Sequence, residues 1–191
     1  MSQPQTLALI HTSMVFLTVE TMMKDLFAEI LPGVRLINIV DDSLLPDVMK
    51  VGGIPPAVTS RMADYIVAAE KTGAAAILSL CSSLGPAVDA AAPRVKIPVI
   101  KIDQAMAEKA AADGQRIGVM ATVPTTLGPT CDLIRAQADR AGKAICIERC
   151  LVAGAFESLM AGKRRCTTKR SSMPDGNWLA RWISSPLHKL R

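Results

Sequence analysis

The sequence predicts an α/β fold of two half-size parallel-sheet units, and three observations carry that prediction. Strand-like apolar runs alternate with helix-like segments along the chain, an order that requires right-handed crossovers and parallel strands. Half of the 191 residues are hydrophobic while 3% are aromatic, and a core rich in Ala, Val, Ile and Leu suits strands covered by helices. The pattern restarts near Pro98, which divides the chain into a first unit over 1–98 and a second over 99–162.

Thr6 to Ile10 reads as the first strand and Val19 to Leu31 as the helix that follows. Arg35 to Val40 is the next strand, and Pro56 to Thr72 a helix with proline at its start, where the missing amide costs nothing. Ala74 to Leu80 reads as a short buried strand, with a short helix after Leu84 and a strand over Ile97 to Lys101. Asp103 before Ala-Met-Ala-Glu-Lys-Ala-Ala is an N-cap signal for a helix running to about Asp113. The strand Arg116 to Ala121, the helix Thr125 to Ala141 led by Pro124, the strand Ala144 to Leu151 and the helix Ala153 to Met160 complete the order.

Composition excludes several classes. Met1 to Gln5 is polar and uncharged and the apolar run Leu7 to Ile10 is short, so no secretory signal is expected. No stretch approaches the roughly 18 apolar residues of a membrane span. Five irregularly spaced cysteines suit reduced thiols and a cytoplasmic location. Cys146 and Cys150 fall in a strand-like run without a nearby histidine, so no metal site is expected there.

The net charge of +5 is unevenly distributed. Residues 163–191 hold eight of the 22 Lys and Arg but one of the 17 acidic residues, leaving 14 basic and 16 acidic residues in the preceding 162. Both tryptophans, Trp178 and Trp182, also lie in this basic tail. Stacking on nucleic acid would use such residues; a solvated or accidental charge run is the better account, and neither nucleic acid nor membrane is expected as a partner.

Chemistry is concentrated at one strand end. The run Ile77-Leu78-Ser79-Leu80 stops at Cys81-Ser82-Ser83-Leu84-Gly85, which places a thiol at the carboxyl edge of a sheet, where open α/β folds bind ligands. A helix N-terminus there would supply up to ~2 kcal/mol favouring the thiolate, so the expectation is a thiol lowered towards neutral pH. Three other strand ends are polar: His11-Thr12-Ser13, Asp41-Asp42-Ser43 and Thr122-Val123-Pro124-Thr125-Thr126. Hydroxyls and backbone amides of this kind either cap the next helix or bind a carboxylate. Four such ends, one with a thiol, point to a small-anion site, and without a glycine-rich phosphate motif no nucleotide is indicated.

Leu80 to Gly85, Ile97-Pro98-Val99-Ile100-Lys101-Ile102-Asp103-Gln104-Ala105-Met106-Ala107, and Arg116-Ile117-Gly118-Val119-Met120-Ala121 running into Thr122–Thr126 resemble the aspartate/glutamate/hydantoin racemase superfamily. The likeness runs from about Leu7 to Gly162. It implies two Rossmann-like α/β/α units related by pseudo-twofold symmetry, an active site between them and no cofactor. It also implies a small-molecule carboxylate as substrate and a homo-oligomer, a dimer, as the assembled state. Cys81 matches the first-domain cysteine that moves the proton next to a carboxylate. Thr122, Thr125 and Thr126 match the carboxylate-binding segment, and Ser13, Ser82 and Ser83 fall in substrate-facing loops. His11, at the first strand end, is a further candidate for binding substrate.

The resemblance stops at Gly162. The family's second catalytic position, at the end of a later buried strand, has no counterpart in Lys163 to Trp178. Read one base out of register from Cys166, the permitted codons admit an amphipathic helix and then a buried strand. A frameshift near residue 163, an aberrant basic tail over 163–191 and an incomplete second unit are therefore expected, with the tail largely disordered or helical only around Asn177 to Ile183. The same considerations predict a cofactor-independent racemase or isomerase, with a one-base relative or a non-catalytic carboxylate binder as the alternatives.

Overall fold

The computed structural model describes residues 5–19 and 22–161 of the chain. The expectations for residues 163–191 lie outside the described residues.

A four-stranded parallel sheet in the order β2-β1-β3-β4 organises the first half, from β1 (Thr6–His11), β2 (Arg35–Val40), β3 (Ala76–Ser79) and β4 (Val99–Lys101). β1 is central: it runs beside β2 from Thr6 opposite Arg35 to His11 opposite Val40, and beside β3 from Leu7 opposite Ala76 to Ile10 opposite Ser79. A second, two-stranded parallel sheet joins β5 (Arg116–Ala121) to β6 (Cys146–Leu151). β4 pairs with β3, so the passage from one sheet to the other falls between Lys101 and Arg116.

The helices pack by the spacing of their apolar residues. In α3 (Pro56–Lys71), Val58, Met62, Ile66 and Ala69 recur every three or four positions and are buried along one stripe. Each large aliphatic side chain so covered contributes ~1.5–3 kcal/mol relative to exposure. α5 (Gln104–Asp113) turns Ala107 and Ala111 inwards, and α6 (Pro124–Arg140) turns in Cys131, Ile134 and Ala138. α5 and α6 pack together, α4 (Gly85–Ala91) lies against α3, and α7 (Ala155–Met160) follows β6. Among the described residues, no helix is long and apolar enough to cross a membrane.

Three local expectations are corrected. The helix expected over Val19 to Leu31 is α1 (Met22–Ile30), preceded by a π-helical turn over Val15–Val19. A helix, α2 (Leu44–Val51), occupies a segment to which the sequence assigns no element. Pro46 sits in its first turn, where a proline is tolerated, and left-handed Gly52 (φ 73°) closes it. Asp103 precedes α5 but its side chain makes no capping bond; it accepts instead from Thr130 Oγ1 of α6 at 3.3 Å. A buried carboxylate is better served by a partner on the packed helix than by solvent-side amides.

Candidate active site

Three of the four polar strand ends converge. β1 delivers Thr12 and Ser13, β3 delivers Cys81 to Ser83, and β5 delivers Thr122 with the first turn of α6. Their side chains line a cavity of about 310 Å³, at the small-ligand end of binding-site sizes. The fourth end, after β2, closes upon the protein. Asp41 accepts from Ser43 Oγ (2.6 Å), Tyr65 Oη (2.9 Å) and Arg61 Nη1 (3.0 Å), while Arg61 also donates to Asp47. Burial opposes the Asp41 carboxylate, yet the bonds from Ser43 and Tyr65 and the Arg61 charge outweigh it and hold the carboxyl below its usual range. These groups tie the start of α2 to α3.

Cys81 is extended (φ −147°, ψ 111°) and leads into a 3₁₀ turn, Ser82–Leu84, that flows into α4. Burial pushes the Cys81 thiol up. The Thr12 hydroxyl, the amides of Leu84 and Ser83 and the Ser83 hydroxyl favour the thiolate but do not overcome desolvation. The expected lowering by a helix N-terminus is thus corrected: the amides are in place, but a single short turn is a weaker dipole than a long helix, and the apolar surroundings prevail.

The two halves are bridged by hydroxyls. Ser83 Oγ lies 2.8 Å from Thr126 Oγ1 and 3.0 Å from Thr125 Oγ1, and α6 packs on the Ser82–Leu84 turn.

Of the residues singled out from the sequence, Ser13, Cys81, Ser82, Ser83, Thr122 and Thr126 line the cavity, and Thr125 joins them through Ser83. His11 does not line it. It is buried at the end of β1, where its Nε2 pairs with Asn38 Oδ1 at 2.9 Å and burial lowers its pKa against that bond. Thr12, the neighbour it was preferred to, is the residue that meets the thiol. β1 ends at His11, and Thr12 follows it in the loop at the cavity.

Sequence reasoning also passes over an apolar wall. Val15 and Phe16 from the π-helical turn, Leu45 from α2, and Phe156 and Leu159 from α7 line the same cavity. The signal was the i, i+3 spacing of Phe156 and Leu159, which also fits a plain core stripe. Gly154, left-handed at φ 74°, turns the chain from β6 into α7.

A larger cavity, about 400 Å³, lies beyond Ser82 between α4, α5 and α6. It holds no thiol, and Lys101 pairs there with Asp89 at 2.7 Å and Asp132 with Arg135 at 2.8 Å. The reactive group therefore belongs to the smaller cavity. Among the described residues, no cluster of three or more His, Cys, Asp or Glu is arranged to hold a metal ion.

Comparison with solved structures shows the same fold in glutamate racemases. That of Francisella tularensis subsp. tularensis SCHU S4, in complex with D-glutamate, superposes with a TM-score of 0.58 at 18% identity, covering 84% of this chain and 58% of that one. Isoform RacE1 from Bacillus anthracis gives 0.59 at 14% identity, covering 82% and 56%, and the Aquifex pyrophilus enzyme 0.52 at 14%, covering 76% and 55%. The chain thus spans little more than half the length of these structures. Comparison with the curated proteins gives no match. The family described as Asp/Glu/Hydantoin racemase matches residues 17–170, most of the chain, and the protein belongs to that family.

Proposed function

We propose that this chain moves the proton on the carbon next to a carboxylate, as a cofactor-independent isomerase of the amino-acid racemase type, with Cys81 as the acid/base. The observation that supports this most is the meeting of one thiol with hydroxyls from both halves in a single cavity. Ser83, Thr122 and Thr126 are the donors for the substrate carboxylate. As the α-proton leaves, charge spreads onto the carboxylate oxygens, and donors already aimed at them stabilise it. The Cys81 thiolate takes the proton and the thiol returns it, with Thr12 and the Ser83 and Leu84 amides holding the anion.

Racemisation requires a group on each face of the carbon. Among the described residues, Cys81 is the thiol that lines the cavity, whereas Cys131 and Cys150 are buried and Cys146 lies on β6. The raised thiol supports a second reading, a relative that works on one face or a binder of small carboxylates. Deuterium uptake at the α-carbon across a panel of D- and L-acids decides between them. Exchange lost in Cys81→Ser is the expected result; exchange from both enantiomers marks a second group on the opposite face, exchange from one marks a one-base site, and none defeats the enzymatic reading.

A further inference from the structure

Two of the chain's three phenylalanines, Phe16 and Phe156, line the Cys81 cavity in a sequence that is 3% aromatic. They come from different parts of the chain. α7 packs against the Val15–Val19 turn, so Phe156 and Leu159 join Val15 and Phe16 in one wall, which Leu45 extends from the start of α2. Val15 and Leu45 are buried, while Phe16, Phe156 and Leu159 keep partly exposed surface that a ligand in the cavity would cover. Among the described residues, the polar lining besides the Cys81 thiol consists of the neutral hydroxyls of Thr12, Ser13, Ser82, Ser83, Thr122 and Thr126. These suffice for one carboxylate and the enolate that forms from it.

We infer that the substrate is a small carboxylate whose α-substituent is apolar, branched aliphatic or aromatic, and not an acid with a second carboxylate such as glutamate or aspartate. This rests on the proton-transfer reading of the same cavity. A phenyl or isobutyl group removes the exposed surface of Phe16, Phe156 and Leu159 from water, and the gain is proportional to the area covered. A side-chain carboxylate in the same position loses its hydration against carbon, and the described residues of the wall offer it no donor in exchange. Discrimination between groups of similar size on such a wall is at least about 10-fold, because the penalty falls on a charge and not on a methylene.

Two measurements on the full chain test this. The first is the rate of α-deuterium exchange for phenylalanine, leucine, glutamate and aspartate in both configurations. The second is protection of Cys81 from iodoacetamide by the same acids, read on the Cys81 peptide by mass spectrometry, which needs no turnover. Phenylalanine or leucine is expected to protect at concentrations at least about 10-fold lower than glutamate, and to exchange faster. Phe156→Ala should raise the concentration needed for the aromatic acid while leaving that for alanine nearly unchanged. Phe156→Arg should bring glutamate to parity. Stronger protection by glutamate than by the apolar acids, or no protection by any of them, overturns the inference. Protection in the expected order without exchange leaves the inference standing and defeats the enzymatic reading instead.

Discussion

The two halves of this molecule share a topological start and differ in what is built on it. β1 and β2 pair in parallel over six residues, and β5 and β6 do the same. Among the described residues, two further strands and α3 enclose a cluster of fifteen buried apolar residues in the first half; in the second, the cluster is five. That threefold difference decides where rigidity lies. The first half can hold a thiol in a fixed, desolvated position. Around the second, Met120 of β5 stays 48% exposed, and the half contributes hydroxyls that need only rotate.

The largest effect separates a reacting group from a positioning one. Cys81→Ser should lower α-proton exchange by about 10²- to 10⁴-fold, the usual contribution of an acid/base, whereas Thr126→Val should cost only about 10-fold, one hydrogen bond's worth. Equal losses measured in the deuterium assay would erase the distinction between the halves.

Stability comes next. Ile66→Ala, in the first cluster, is expected to cost ~2–5 kcal/mol and to shift the whole urea transition. Ile134→Ala, in the second, should fall at the low end of that range and show chiefly as faster hydrogen exchange in α5, α6, β5 and β6. Identical global shifts would mean that the halves unfold as one.

Gly154 offers a smaller probe. A side chain at φ 74° costs ~1–2 kcal/mol, so Gly154→Ala should loosen α7 and weaken Cys81 protection by apolar acids more than by acetate.

The last effects follow pH. Cys81 is raised by burial, so its contribution to stability is complete below the ordinary thiol pKa and is lost as pH rises through the folded value. Denaturation measured at rising pH, above the ordinary thiol value, should show this loss in the wild type and not in Cys81→Ala. Burial lowers His11, against its bond to Asn38, so its contribution is present above the ordinary histidine value and lost as pH falls through the folded one. A proton NMR titration of His11 should therefore have its midpoint below that of a free histidine.

Strand positions were legible because short runs rich in Val, Ile and Leu, set between turn and helix signals, favour extended backbone. β2 and β5 fall where the sequence puts them, from Arg35 to Val40 and from Arg116 to Ala121. α2 was hidden because Pro46 reads as a breaker wherever a helix start is not already known. At the site, the polar strand ends announced Ser83, Thr125 and Thr126, since hydroxyls in a row after an apolar run serve no core. Whether Thr12 or His11 turns to the thiol depends on where β1 ends, which a four-residue window leaves open. The apolar wall was illegible for a different reason: Phe156 and Leu159 look the same whether they face a core or a substrate.

The hydroxyl bridge between the halves carries a consequence in protons. Ser83, Thr125 and Thr126 bring three hydroxyl hydrogens to two mutual contacts, so one hydrogen is always left over. None of the three oxygens is fixed as donor or acceptor, and each arrangement passes into another by rotating a C–O bond while every heavy atom stays in place. An arriving anion can therefore be offered the spare hydrogen at Ser83 or Thr126, the two of the three that line the cavity.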